Sequence, residues 1–140
     1  LANNLPFQQP IDLITEREMV YDIFERSKLG HDLKDLDNTY FKAGTFLTDL
    51  IKKFIYMLPH TLVLNFLNVK VGEIHVSAGA KTGSCTISGL NEGKVILAYS
   101  QQMQIDVSEN INTVGSNNLL CTIATDVPYL KDDYIKVYAI

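Results

Sequence analysis

Few side chains in this sequence could do bond-making chemistry, and their spacing decides against most of it. The histidines are His31, His60 and His75. None stands at a ligand spacing such as H-x-H or H-E-x-x-H, so capping or surface roles are expected. A hydrolase serine needs a G-x-S-x-G elbow, and Gly83-Ser84-Cys85 does not supply one. Asp132 and Asp133 are paired carboxylates, but adjacent residues in a strand or tight turn point apart. Glycoside hydrolysis needs carboxyls that converge from separate elements. Gly79-Ala80-Lys81-Thr82-Gly83 holds a tempting Lys-Thr. The first Gly of a phosphate loop would fall at Val76, and a strand pattern follows where a helix is required. The run His31 to Asn38 could pass for a calcium loop. Counted from Asp35, position six is Tyr40 and position twelve is Phe46, so the match fails.

Cys85 and Cys121 occupy similar settings, Ser84-Cys85-Thr86-Ile87 and Leu120-Cys121-Thr122-Ile123. They read as two small buried hydrophobes in strands, or as a disulfide between neighbouring strands. No C-x-x-C motif and no partner histidine marks a catalytic thiol. No catalytic residue, cofactor site or metal ligand is therefore assigned, and an enzyme is not expected.

The bulk numbers narrow the partners. With 12 basic and 16 acidic residues the net charge is −4, and both halves of the chain are mildly acidic. No basic stripe exists to neutralise phosphates or anionic lipid, so neither nucleic acid nor a membrane surface is an expected partner. The most apolar stretch, Phe46 to Val71, is broken by Asp49, Lys52, Lys53 and Pro59, too often to span a bilayer. No signal peptide and no N-x-S/T acceptor is seen. The chain opens on Leu1 rather than Met, which points to a processed or trimmed start, or to a segment of a longer protein.

The elements that would position these groups change character near Pro59. Residues 1–14 read as an extended arm, with Pro6 and Pro10 flanking Phe7, Gln8 and Gln9. Thr15-x-x-Glu18 is a capping box and opens a helix over about 16–29, with Gly30 as its stop. His31 to Asn38 reads as a polar connection. A second helix is predicted over about 45–58, ended by Pro59. Its apolar face (Phe46, Leu47, Leu50, Ile51, Phe54, Ile55, Leu58) is too wide for one contact and implies burial on two sides.

From Thr61 the period becomes two. Leu62, Leu64 and Phe66 alternate with Val63, Asn65 and Leu67. Strands at Glu73–Ser77, Cys85–Ile87, Val95–Tyr99, Met103–Val107, Leu119–Thr125 and Tyr134–Ile140 follow, punctuated by Gly, Asn and Asp turns. Residues 94–99 are continuously apolar and predict a central strand buried on both sides. On the last strand Ile135, Val137 and Ala139 share one face, and Tyr134, Lys136 and Tyr138 the other. The fold class is thus α+β. An arm (1–14) and two helices (15–58) precede an antiparallel β-sandwich or jelly roll of about seven strands (59–140).

Residues 87–139 carry a resemblance. Ile87-Ser88-Gly89-Leu90 leads to an apolar strand ending in Tyr99-Ser100. Later come Asn112-Thr113-Val114-Gly115 and Leu130-Lys131-Asp132-Asp133-Tyr134-Ile135-Lys136-Val137-Tyr138-Ala139. This resembles the second half of C1q/TNF-like jelly-roll heads, including those on phage and bacterial fibre proteins. It departs at Asp132, where those heads carry the Gly of a Gly-Asp turn. The resemblance implies a non-catalytic, oligomeric head, trimeric in that family, used for assembly or receptor contact, and no functional residue carries over. The expected function is a structural or assembly protein of virion or cell-surface type that works through protein–protein contacts as a homo-oligomer. The alternative is a carbohydrate-binding or adhesion module with a glycan receptor. Contact candidates are Phe7, Phe46, Leu50, Phe54, Tyr129, Tyr134 and Tyr138.

Overall fold

The computed structural model describes the backbone of residues 14–40 and 46–140 and the side chains of 14–36 and 49–140. The expected arm, with Phe7, lies outside the described residues apart from Ile14, and so does the Phe46 side chain. The chain divides into a helical unit, Thr15–Val69, and a β unit that includes Lys70–Ile140.

In the helical unit, α1 (Glu16–Arg26) begins at the expected cap. Thr15 Oγ1 accepts the Glu18 N–H at 3.2 Å, and its hydroxyl donates to the Glu18 carboxylate at 2.9 Å. The side chain thereby stands in for an acceptor the first turn lacks. Val20, Ile23 and Phe24 form the buried face. The helix ends at Ser27, not at Gly30 as its sequence predicts. The Ser27 backbone turns extended, and its N–H reaches the Ile23 carbonyl at 2.9 Å. Its hydroxyl donates to the Phe24 carbonyl at 2.6 Å and accepts the Gly30 N–H at 3.2 Å. One buried serine closes α1 and opens α2 (Lys28–Tyr40).

The expected polar connection at 31–38 is therefore helix. Leu29, Leu33 and Leu36 recur at helical spacing, and the charges between them occupy the other face. Gly30 permits a close crossing instead of a stop. A Cβ there would collide with the Phe24 carbonyl, whose carbon would lie at 2.9 Å.

The second predicted helix is α3 (Phe46–Met57). After it the expectation fails again, because the residues read as a first strand form α4 (His60–Phe66), capped by Pro59. Leu62, Leu64 and Phe66 do alternate, but Leu62, Val63, Phe66 and Leu67 also fall one helical turn apart. Proline is well suited to a helix start, where its missing N–H has no partner to lose. Asn68 then takes a left-handed conformation, φ 58°, and the strands begin at Lys70.

The β unit has seven strands: β1 (Lys70–Val76), β2 (Thr82–Ile87), β3 (Val95–Ser100), β4 (Ile105–Asp106), β5 (Ile111–Val114), β6 (Leu119–Ala124) and β7 (Asp133–Ala139). They form two antiparallel sheets, ordered β1-β7-β3-β4 and β2-β6-β5. The pairing nests, first strand with last and second with next to last. The number of strands is as expected, but β5 replaces the lost strand at 61–67. One core joins the inner faces, with Ile74, Val76, Ile135 and Val137 from the first sheet and Ile87, Leu119, Cys121 and Ile123 from the second. β3 lies between β7 and β4 and is buried almost throughout, as its unbroken apolar run predicts.

A dipeptide fastens this sandwich. Asp133 is buried, and its carboxylate accepts the Ser100 hydroxyl at 2.6 Å and the Gln102 N–H at 3.0 Å. Ser100 Oγ in turn accepts the Met103 N–H at 3.1 Å. The turn after β3 is thus held on β7. Its exposed neighbour Asp132 faces the other way and accepts the Ala78 N–H at 2.7 Å, in the turn between β1 and β2.

Two substitutions test these contacts by denaturant unfolding. Asp133→Ala strips two donors of their acceptor and is expected to cost about 2–3 kcal/mol. Gly30→Ala should gain about 1 kcal/mol of helix propensity yet lose about 1–3 kcal/mol to overpacking against Phe24. A net loss is expected, and a raised midpoint would show that the crossing is not what selects glycine.

Candidate functional site

The helical unit encloses an apolar groove of about 460 Å³. It is built from the apolar sides of short helices. α1 supplies Phe24 and α2 supplies Leu29 and Leu33. Ile51, Phe54 and Ile55 come from α3 and Leu58 from the link after it. Leu62, Val63 and Phe66 of α4, with Leu67, complete the wall. Its volume is that of a site for a small ligand or a few side chains. Among the described residues no polar side chain lines it, so these supply nothing with which to orient a reacting group.

The rim stays in water. Phe54 is 66% exposed, Phe66 76% and Leu50 53%. Met57 follows in α3 at 82% exposure. Large apolar side chains grouped in this way are unusual on a monomer and mark contact surfaces. Of the sequence candidates, Leu50 and Phe54 therefore belong to this exposed apolar surface, and Phe54 also lines the groove. Leu62 and Phe66 also line the groove and are exposed, and sequence reasoning misses them because it reads both as strand. The spacing 62, 63, 66, 67 after Pro59 is the signal that could have found them.

Polar ties hold α1 to the two helices that carry the rim. The Arg17 guanidinium lies 5.1 Å from the centre of the Tyr56 ring and donates to the Tyr56 carbonyl. Tyr21 stands 5.2 Å from the same ring, tilted by 45°. Burial, then the neighbouring Tyr56, pushes the Tyr21 phenol up. Glu25 pairs with Lys52 of α3, and Glu16 meets His60 of α4 at 3.1 Å. These groups are partly exposed, so each pair contributes little on its own.

The β unit does not bring its tyrosine candidates together. Tyr134 is exposed and stacks on His75 of β1, with ring centres 4.6 Å apart and planes 8° from parallel. Tyr138 is buried, a correction to its expected place beside Tyr134 on an open face. Tyr129 is also buried. It lies in the sandwich core, and its hydroxyl has no hydrogen-bond partner among the described residues. Burial, followed by the nearby Asp133 carboxylate, raises the Tyr129 phenol well above its usual range. Asp132 and Asp133 diverge, one exposed and one buried, as adjacent strand residues do.

Among the described residues no group of three or more His, Cys, Asp and Glu side chains is placed to hold a metal ion. None of the described helices is long and apolar enough to cross a membrane.

A buried hydroxyl without a partner stabilises nothing. Tyr129→Phe keeps the ring and removes that desolvated group, so stability should rise by about 1 kcal/mol. Thermal unfolding of the two proteins side by side measures it, and a clear loss would place a hydrogen-bonding partner on the Tyr129 oxygen.

Comparison of the chain with protein-family models, with curated proteins and with solved structures found no match.

Proposed function

We propose that this chain is a non-catalytic assembly protein that acts through protein–protein contacts. In this reading the helical unit is the docking half and the β-sandwich the half that is displayed or packed. The observation that supports it is the groove, apolar along its described lining, with Phe54 and Phe66 standing exposed at its edge. Contact surfaces concentrate their binding energy in aromatic anchors set in desolvated pockets, and this surface supplies both. The occupant in this proposal is a second copy of the chain, which makes the protein a homo-oligomer. The virion or fibre-head setting rests on the resemblance of residues 87–139 alone.

The glycan-binding alternative has less support. A sugar platform needs rings open to solvent, and of its three tyrosines only Tyr134 is exposed.

Light scattering on the purified chain tests the proposal. The wild type should exceed the monomer mass at high concentration. The double variant Phe54→Asp, Phe66→Asp should run as a folded monomer with an unchanged circular-dichroism spectrum, because both side chains are already largely exposed. A wild type that stays monomeric at high concentration overturns the homo-oligomer.

A further inference from the structure

Cys85 of β2 and Cys121 of β6 are direct partners across the second sheet. Both are free thiols. As opposed residues their side chains lie next to one another on the same face of the sheet, and the Cys121 thiol donates to the Leu119 carbonyl at 3.9 Å. Cys121 is sealed in the core, whereas Cys85 is only partly buried at its edge. Gly72 of β1 faces the pair from the other sheet, and a Cβ there would lie 3.2 Å from the Cys85 sulfur.

The register also fixes which kind of pair this is. Opposed residues in an antiparallel ladder alternate between those that exchange both backbone hydrogen bonds and those that exchange none. The Thr125 N–H bonds the Lys81 carbonyl at 2.9 Å, so 81 and 125 are a hydrogen-bonded pair. Counting along the register makes 83 with 123, and then Cys85 with Cys121, bonded pairs too. In such pairs the Cα atoms stand about 5.5 Å apart, close to the commonest spacing in disulfides. The Cβ atoms, however, must close from roughly 5 Å to about 4 Å. A bridge can therefore form without parting the strands, but only under strain, and strained disulfides are the easily reduced ones.

We propose that Cys85 and Cys121 form a reversible cross-strand disulfide, closed by thiol–disulfide exchange with a small-molecule disulfide. The less buried Cys85 reacts first. Its thiolate attacks one sulfur of the oxidant RSSR, and RS⁻ leaves. Cys121 then loses its proton to solvent and attacks the Cys85 sulfur of the mixed disulfide, expelling the second RS⁻. Two cysteine thiols are oxidised, one RSSR is reduced, and two RSH form once the leaving thiolates are protonated. Burial raises both thiols, Cys121 to about 11, so mildly alkaline buffer favours the exchange.

The test uses the reduced, folded chain with excess oxidised glutathione as RSSR, followed by maleimide labelling under denaturing conditions and intact mass. The wild type should lose two hydrogens and take up no maleimide, and dithiothreitol should reopen the bridge without denaturant. Cys121→Ser should stop as a single glutathione adduct on Cys85, and Cys85→Ser should keep its buried thiol free. Two maleimides or two glutathiones on the oxidant-treated wild type would overturn the proposal. So would a bridge that dithiothreitol opens only after unfolding.

Discussion

A carboxylate removed from water must find donors, and that requirement at Asp133 shapes the β-sandwich. The Ser100 hydroxyl and the Gln102 N–H answer it, so the turn after β3 is drawn onto β7. Gln104 accepts a left-handed conformation in that turn, φ 55°, and its N–H bonds the Ser100 carbonyl at 2.8 Å. The neighbouring Asp132 then points outward and secures the turn between β1 and β2. Two acidic residues that resemble a catalytic pair are thus two separate fasteners, because side chains alternate along a strand.

The helical unit meets a different constraint. Among the described residues it has four short helices, and the apolar residues of α3 and α4 are too many to be covered by the others. Phe24, Ile23 and Val20 are covered, whereas Phe54, Met57 and Phe66 are not. Covering a side chain of that size stabilises by about 1.5–3 kcal/mol, which a subunit contact would recover and an isolated unit forgoes. The polar ties around α1 hold the helices together without covering this surface.

The legible parts of the sequence are those where one local signal acts without a rival. The Thr15 cap, the end of α3 before Pro59 and the buried β3 each follow from a short pattern. Errors cluster where two signals compete. Gly30 is a common helix stop, yet here its missing side chain admits the Phe24 carbonyl. Residues 60–66 satisfy periods of both two and 3.6, and only neighbouring helices decide between them. β5 is short and mostly exposed, so it leaves no apolar alternation to detect. The site was half legible for the same reason. Leu50 and Phe54 lie on an unambiguous helix, whereas Leu62 and Phe66 depend on the disputed one. Tyr138 is buried although it shares a face with Tyr134, because alternation gives the face a residue occupies and not whether that face is open.

The nesting of the strands governs the order in which the sheets can close. β1 and β3 are both edged by β7, and β2 waits for β6, so the earliest strands pair with the latest. Contacts so distant along the chain must overcome a large loop entropy before any of them is rewarded, which slows folding. On the ribosome β1 and β3 would emerge with their edges bare, while the helical unit, whose contacts are nearer in sequence, would already have its partners. Unpaired edges are where strands from different chains join by mistake. A nascent molecule of this design is therefore most exposed to aggregation during the interval between the synthesis of β1 and that of β7.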